Sequence, residues 1–317
     1  MRAGSLMALV TLLSTVLALV GSADLLWAIT SKGPTELSSA SFMLFEVRLP
    51  RIVGAWAAGA CLGLGGAIAQ SLFRNPLADP YLVGSASGAG LGVTLSLVLL
   101  STVRIEFAFA GALLAVALAV VLSRGRDALL LAGFVISIVL SAVVALLMVK
   151  YPEHLRVSQL FMLGQTHLLD WQASISMFPA LALGLIVCTR LAKPLEAMSL
   201  GDATAQSLGI PVAILRWTLI AVIALLSAVS VTYCGMLAFV GLGAAHMVRG
   251  LFRRSLENNL SLQLVLSALA GGVLLELSDL IARVLFWPTE MPVGVITALL
   301  GGGYLLSLLG SGRKAVQ

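Results

Sequence analysis

Glu276, Asp279 and Arg283 are the residues whose types and spacing could do chemistry in a membrane. They are three and four apart, so on a helix they share one face. The sequence around them, LQLVLSALAGGVLLELSDLIARVLF, is otherwise almost wholly apolar. Ionisable groups are costly in lipid and face a bundle interior or water, which makes Glu276 and Asp279 candidate proton or ion sites of an ion-coupled carrier. Simple pairing of Asp279 with Arg283 is the alternative. The other reactive residue types give less. His246 lies in GMLAFVGLGAAHMVRG with no second ligand-spaced residue, which favours a hydrogen-bonded structural histidine over a metal ligand. His154 and His167 fall in a polar break and read as solvated loop residues. Cys61, Cys188 and Cys234 sit in or beside apolar runs without CxxC or Cys/His spacing, so neither a disulfide framework nor a metal site is indicated. Lys32, Lys150, Lys193 and Lys314 precede Gly, Tyr, Pro and Ala, which rules out a P-loop. No enzyme motif is present, and any nucleotide chemistry belongs to another polypeptide.

These residues must be held by membrane-spanning elements. Sixty per cent hydrophobic and ten per cent charged residues exclude an ordinary cytosolic domain, in which about 25% are charged. The net charge of +5 comes from residues in short breaks between apolar runs, with no basic, aromatic-interleaved face, so nucleic acid is not the partner. Charge and proline delimit ten expected spans, near 6–29, 52–73, 80–101, 105–123, 128–149, 171–191, 211–233, 236–251, 261–285 and 293–310. The first is too long for a signal-peptide core and reads as a true span. With both termini cytoplasmic, twelve of the nineteen Lys and Arg residues fall in the inner breaks, the bias expected of cytoplasmic loops. The chain reads as one all-α polytopic membrane domain over residues 1–317.

The stretch from Arg48 to Gly92 carries the densest information. Arg48 and Arg51 open it, an apolar run with Gly59 and Gly63 follows, Asn75-Pro76 breaks it, and Gly84, Gly88 and Gly92 stud the next span. Small residues four apart let helix backbones approach closely. The three-glycine ladder beside a broken helix pair points to a moving or pore-lining region. Two breaks are longer than hairpins need. The outer one, 150–171, suits a short helix or cap. The inner one, LAKPLEAMSLGDATAQSLGIP, reads as short amphipathic helices at the interface that dock a cytoplasmic partner.

RLPR, a glycine-rich span and QSLFRNPLADPYLVGSASGAGLG together resemble the FecCD family, the permease subunits of type II ABC importers for iron-siderophores, haem and cobalamin. LEAMSLGDATAQSLGIP, GMLAFVGLGAAHMVR and LSDLIARVLFWPTEMPVGVITALLGG extend the resemblance, in order, from about Arg48 to Leu309. It implies about ten transmembrane helices, a homodimer or close heterodimer of permeases in the inner membrane, an ATPase dimer inside that carries ATP and Mg, and a substrate-binding protein outside. No cofactor is expected in this chain. Arg48, Arg51 and Arg283 match the family's outer arginines, which meet acidic residues on the binding protein. Glu196, Ser199, Gly201, Asp202, Ala205 and Leu208 match the coupling helices that seat in the ATPase, and Gly84, Ser85, Ser87, Gly88 and Gly92 match the span lining the path. The family usually has proline before the histidine of its FVGLxxPH motif. Ala245 stands there in this chain, which restores a backbone donor and relaxes the local bend. The function expected is import of a metal chelate, with an ion-coupled carrier using Glu276 and Asp279 as the rival.

Overall fold

The computed structural model describes residues 10–12, 14–15, 42–123, 126–252, 259–285 and 289–312. The first expected span, 6–29, lies mostly outside these residues, as do Arg2, Lys32, Arg253, Arg254, Arg313 and Lys314. Among the described residues from Met43 onward thirteen α-helices follow one another: α1 Leu49–Phe73, α2 Ser85–Leu100, α3 Ile105–Leu122, α4 Arg126–Lys150, α5 Leu155–Met162, α6 Trp171–Ser176, α7 Phe178–Arg190, α8 Ala192–Ser199, α9 Asp202–Ser207, α10 Val212–Cys234, α11 Val240–Leu251, α12 Leu260–Val284 and α13 Val293–Gly312. No strand occurs among the described residues. Among the described residues six stretches are long and apolar enough to cross a membrane, and Ser85–Leu100 and Val293–Ser307 are shorter apolar helices. The chain is therefore an all-α polytopic membrane protein, and the nine expected spans after the first all fall on helices.

The helices begin and end for local reasons. A π-helical turn, Met43–Arg48, leads into α1, where Pro50 occupies the first turn and needs no donor. Arg74 ends α1 in the left-handed conformation, φ 52°, and Pro76 prevents its continuation. Chain direction then changes inside the bundle. Asp79 caps a 3-10 turn, Pro80–Val83, by accepting from the Tyr81 N–H at 2.9 Å, and α2 starts only at Ser85. The sixth expected span is two helices, because the chain bends at Met177 just before Pro179. Asp170 caps the first of them by accepting from the Ala173 N–H at 2.7 Å. The eighth expected span is a half-helix: the 12 residues of α11 rise about 18 Å, well short of a hydrocarbon core of roughly 30 Å. Ala245 is fully buried inside α11, which runs through it without interruption, as a residue with a backbone donor permits.

Helix α1 is the centre of the bundle. Its apolar window is 89% buried, against 28% for α3 and 17% for the window in α4, whose faces are left to lipid or another chain. It crosses α12 antiparallel at backbone contact. A Cβ at Gly59 would lie 2.8 Å from the Leu275 Cβ and closer still to the Gly271 carbonyl, and one at Gly63 would meet the Gly271 Cα at 3.0 Å. The second glycine run makes a similar seam with α3. A Cβ on Gly88 would strike Gly111 and one on Gly92 would strike Phe107. Close packing of helices thus accounts for both glycine ladders.

Candidate functional site

Two polar clusters terminate the α1–α12 pair at opposite ends. At the first, Asp279 is 1% exposed and collects three donors. The Arg51 guanidinium donates to its Oδ1 from Nε at 3.0 Å and from Nη2 at 2.8 Å, and Thr166 donates to the same oxygen. Arg283, one turn on, sits 3.1 Å from Oδ2. The remaining arm of Arg51, Nη1, donates to Glu290 Oε2 at 2.8 Å, and that carboxylate is 45% exposed. Asp279 is an ion-pair hub, with a double positive charge compensating its buried negative one. That removes one of the two carboxylates an ion-coupled carrier would use. The other, Glu276, is 2% exposed and accepts from the Ser14 hydroxyl at 2.5 Å and the Thr15 hydroxyl at 3.1 Å.

Arg48 and Arg51, which the sequence matched to docking arginines, are only 6% and 8% exposed. The reason is the antiparallel crossing, which brings Asp279 of α12 level with the first turn of α1. Arg51 therefore has a counter-charge at depth and no need of solvent. What this end presents outward is Glu290, together with the cap formed by Pro152–His154 and α5. The cap is tied down where Gln165 N–H donates to the Cys234 carbonyl at 2.7 Å.

The second cluster lies beneath α8 and α9, where the sequence suggested interfacial helices. Asp202 bridges two arginines from different helices, accepting from Arg74 at 2.6 Å and from Arg216 at 2.5 Å. Arg74 also donates to the Met198 carbonyl, closing α8 onto the end of α1. Glu196 Oε1 accepts from the Leu260 N–H at 2.7 Å and so fills the first orphan donor of α12. Ala205 is fully buried, Leu200 and Leu208 are 74% and 65% exposed, and the Ser199 hydroxyl folds back on the Glu196 carbonyl at 2.6 Å. Gly201 adopts φ 134°, open only to glycine, and so permits the turn between the two helices. The pair thus turns a partly apolar outer surface away from the bundle while Glu196 and Asp202 fasten it to α1, α10 and α12.

The candidate path residues separate. Gly84, Ser85, Gly88 and Gly92 are buried, Gly88 and Gly92 also border a cavity of about 560 Å³ with Leu95 and Phe107, and half-buried Ser87 lines another of about 780 Å³ with Ser141, Met148, Ser158 and Gln159. His246 stacks edge-on against Tyr304, with 5.7 Å between ring centroids, and its Nδ1 has no hydrogen-bond partner among the described residues. The three cysteines are free and buried, and no metal-binding cluster occurs among the described residues. Sequence reasoning missed Thr166, Glu290 and Arg216, each of which meets its partner only through tertiary folding. Arg74 alone had a local signal, as a basic residue placed directly after a span.

Asp79, in the turn between α1 and α2, carries a pH dependence. Burial pushes its carboxyl up to about 6, against the opposing pull of the Tyr81 and Leu242 backbone groups. A raised carboxyl favours the protonated fold, so its contribution is complete below the ordinary range near pH 4 and is lost as pH rises through 6. Asparagine caps as well as aspartate and carries no charge. Asp79→Asn is therefore expected to raise the melting point at pH 7.5 by an amount worth ~1–2 kcal/mol and to leave it unchanged at pH 4. An equal shift at both pH values would refute the assignment.

Comparison with known proteins matches residues 6–311 to the FecCD transport family. The chain is 35% identical over 279 residues to a probable iron chelatin transport system permease protein of Helicobacter pylori, covering 86% of this chain and 84% of that one. It is 36% identical over 282 residues to the cobalamin import system permease protein BtuC of Halobacterium salinarum, covering 86% and 74%. The Fe(3+) dicitrate transport system permease protein FecD of Escherichia coli is 33% identical over 279 residues, with coverage of 84% and 85%. Among solved structures, a metal-chelate type ABC transporter in an inward-facing conformation superposes with a TM-score of 0.83 at 28% identity, covering 96% of this chain and 97% of the other. With the family match running over residues 6–311 and the superposition over nearly the whole chain, the chain belongs to the FecCD transport family, the membrane-spanning permeases of ABC importers.

Proposed function

We propose that this chain imports a metal chelate, of the iron-chelate, haem or cobalamin kind, from periplasm to cytoplasm. It works as half of a permease dimer, with both termini cytoplasmic. An ABC ATPase dimer engages α8 and α9, and a substrate-binding protein delivers cargo at the Arg51 end. The observation that carries the reading is the superposition along nearly the whole chain on a metal-chelate transporter. Relatives named for iron chelates and for cobalamin match about equally well, so the chelate class is common to both. The chain performs no covalent chemistry. Nucleotide-driven motion of the ATPases would bias two packings of the dimer, which is differential stabilisation of two states.

The geometry suggests how each end takes part. Arg51 holds Asp279 with one edge of its guanidinium and the half-exposed Glu290 with the other. An acidic side chain of the binding protein would exchange with Glu290 and leave the Asp279 edge intact, and Arg48 and Arg283 flank that position. Charge exchange of this kind sets encounter and register more than affinity. At the other end, Leu208 and Leu200 offer the apolar contact while Asp202 transmits displacement to α1 and α10 through its two arginines.

Reconstitution with the ATPase and binding protein in liposomes tests the proposal. Uptake of labelled iron chelate or cobalamin should require ATP and persist when ion gradients are collapsed; uptake by this chain alone on an ion gradient would overturn it. In the same assay, Asp202→Arg sets three like charges together and detaches α9 from α1 and α10. Uptake per ATP hydrolysed is expected to fall roughly tenfold or more, the equivalent of ~1.4 kcal/mol of lost coupling. Unchanged stoichiometry would remove Asp202 from the coupling route.

A further inference from the structure

Arg51 holds two carboxylates that differ in kind. Asp279 is 1% exposed and takes the Nε and Nη2 edge, whereas Glu290 is 45% exposed and takes Nη1 at 2.8 Å. The buried acid cannot leave without stranding a cation. The exposed one can, because water receives it and a pair of this exposure contributes little. Glu290 also belongs to a segment whose position matters. It stands three residues before α13, which begins at Val293, and Pro292 lies in the short link between them. Proline fixes one of the few free dihedrals of that link, so a displacement at Glu290 passes into the helix with little slack. Two backbone ties of the link are long. Met291 N–H donates to the Ala282 carbonyl at 3.3 Å and Gly294 N–H to the Gly164 carbonyl at 3.3 Å, against a usual distance of about 2.9–3.0 Å.

The start of α13 is where the cap, the α10–α11 bend and the docking end meet. A Cβ on Gly294 would strike the Leu163 carbonyl, at the end of α5 in the cap, and lie 2.7 Å from the Met236 carbonyl in the bend. Two turns further on, a Cβ on Gly301 would strike Phe239, the left-handed residue from which α11 starts, and Tyr304 then stacks on His246 within α11. Helix α13 therefore lies along the bend and the half-helix that follows it, and Arg249 near the far end of that half-helix donates to Gln70 of α1. Its opposite side exposes Leu299 and Leu306. A shift at the outer start of α13 thus has a contiguous packed route to the cap, to the bend and along α11. We propose that Glu290 is a latch: it occupies the place on Arg51 that an acidic side chain of the binding protein takes, and so holds the outer start of α13 against the cap until docking displaces it. The inference rests on the reading of this end as the docking site, and adds that the displaced acid, as well as the arriving one, carries the signal. The weakness of the pair suits that role. Losing a half-exposed ion pair shifts a two-state balance about two- to fivefold, enough to bias the packings of the dimer without locking either.

The test uses the full transporter, this chain reconstituted with the ATPase in lipid nanodiscs and titrated with the binding protein. Glu290→Gln keeps the size of the side chain, removes its charge and leaves the Arg51–Asp279 pair in place. Two readouts separate the latch from the docking site. Apparent affinity for the binding protein should tighten about two- to fivefold, because the internal competitor is gone. ATP hydrolysis without binding protein should rise by about the same factor, because the latch is already released. Partial loss of fold would lower both and so cannot imitate this pattern. Unchanged docking affinity would overturn the reading of Arg51 as a docking residue, and the latch with it. Tighter docking with unchanged or lower unstimulated hydrolysis would leave the docking site standing and overturn the latch alone. A measurement on the wild-type chain decides even if the variant is not recovered. Hydrogen exchange at the Gly294 amide should quicken about two- to fivefold when the binding protein docks, and an exchange rate that docking leaves unchanged would overturn the latch.

Discussion

Asp279→Ala is expected to destabilise the bundle by about 3–5 kcal/mol, enough to abolish recovery of folded chain from detergent. The carboxylate is 1% exposed and serves two guanidiniums and a hydroxyl. Removing it leaves Arg51 with Glu290 alone and takes the Asp279 counter-charge from Arg283, in a region where a cation cannot recover hydration. Asp279→Asn keeps the shape and one acceptor but not the charge, so it should fare little better. The decisive comparison is the double variant Asp279→Ala with Arg51→Leu. If the single loss is mostly that of a stranded cation, removing the cation should restore about 1–3 kcal/mol, a non-additivity that double-mutant cycles resolve. Melting in detergent, followed by fluorescence-detected size exclusion, gives all three values. A single-variant effect within about 0.5 kcal/mol, the range of an ordinary surface change, would mean that Asp279 is not the hub the geometry makes it.

What could be read from the sequence, and what could not, divides along a physical line. Span positions follow from runs of apolar residues interrupted by charge and proline, and that pattern is local. So is the expectation of short interfacial helices at 191–211, realised as α8 and α9 with Gly201 between them at a backbone angle only glycine takes freely. Partner identity is not local. Arg51 and Asp279 are separated by 228 positions, and nothing within either segment announces the other, so the ion pair that buries Arg51 could not be read from the sequence. The half-length of α11 was hidden because Gly235–Phe239 is as apolar as a helix. The left-handed turn at Phe239, φ 66°, is made by a residue type that carries no turn signal. The glycine ladders told truly that a backbone comes close but not which one. Gly88 and Gly92 meet Gly111 and Phe107 of α3 in the same chain, partners that no residue near them in sequence announces.

The α1–α12 seam yields the second large effect, and it follows from the same distinction between what is near in sequence and what is near in space. Without water between helices in lipid, their association rests on packing, and small residues set how near the backbones come. At Gly271 a Cβ would fall on the Gly59 carbonyl and 2.9 Å from the Gly63 Cα. Those are backbone atoms of a helix that is itself buried for most of its length, so neither side can rotate away. Gly271→Leu must push α12 off α1, and because the two helices carry Arg51 and Asp279 at one end and Gln70 and Leu260 at the other, both polar clusters would be pulled out of register. Overpacking of a well-packed core costs about 1–3 kcal/mol or more, and separation of the ion-pair hub adds to it. The variant is expected to be recovered unfolded or not at all. Gly243→Ala, on neighbouring α11, is the informative contrast. Its Cβ would meet only the Leu274 Cδ1, at an ordinary 3.5 Å, and alanine is favoured over glycine within a helix by about 1 kcal/mol. That variant should melt at or above the wild-type temperature. Were both substitutions equally harmful, the glycines would matter for motion of the bundle rather than for the closeness of this crossing. Were both harmless, α1 and α12 would have to be further apart than their backbones lie here.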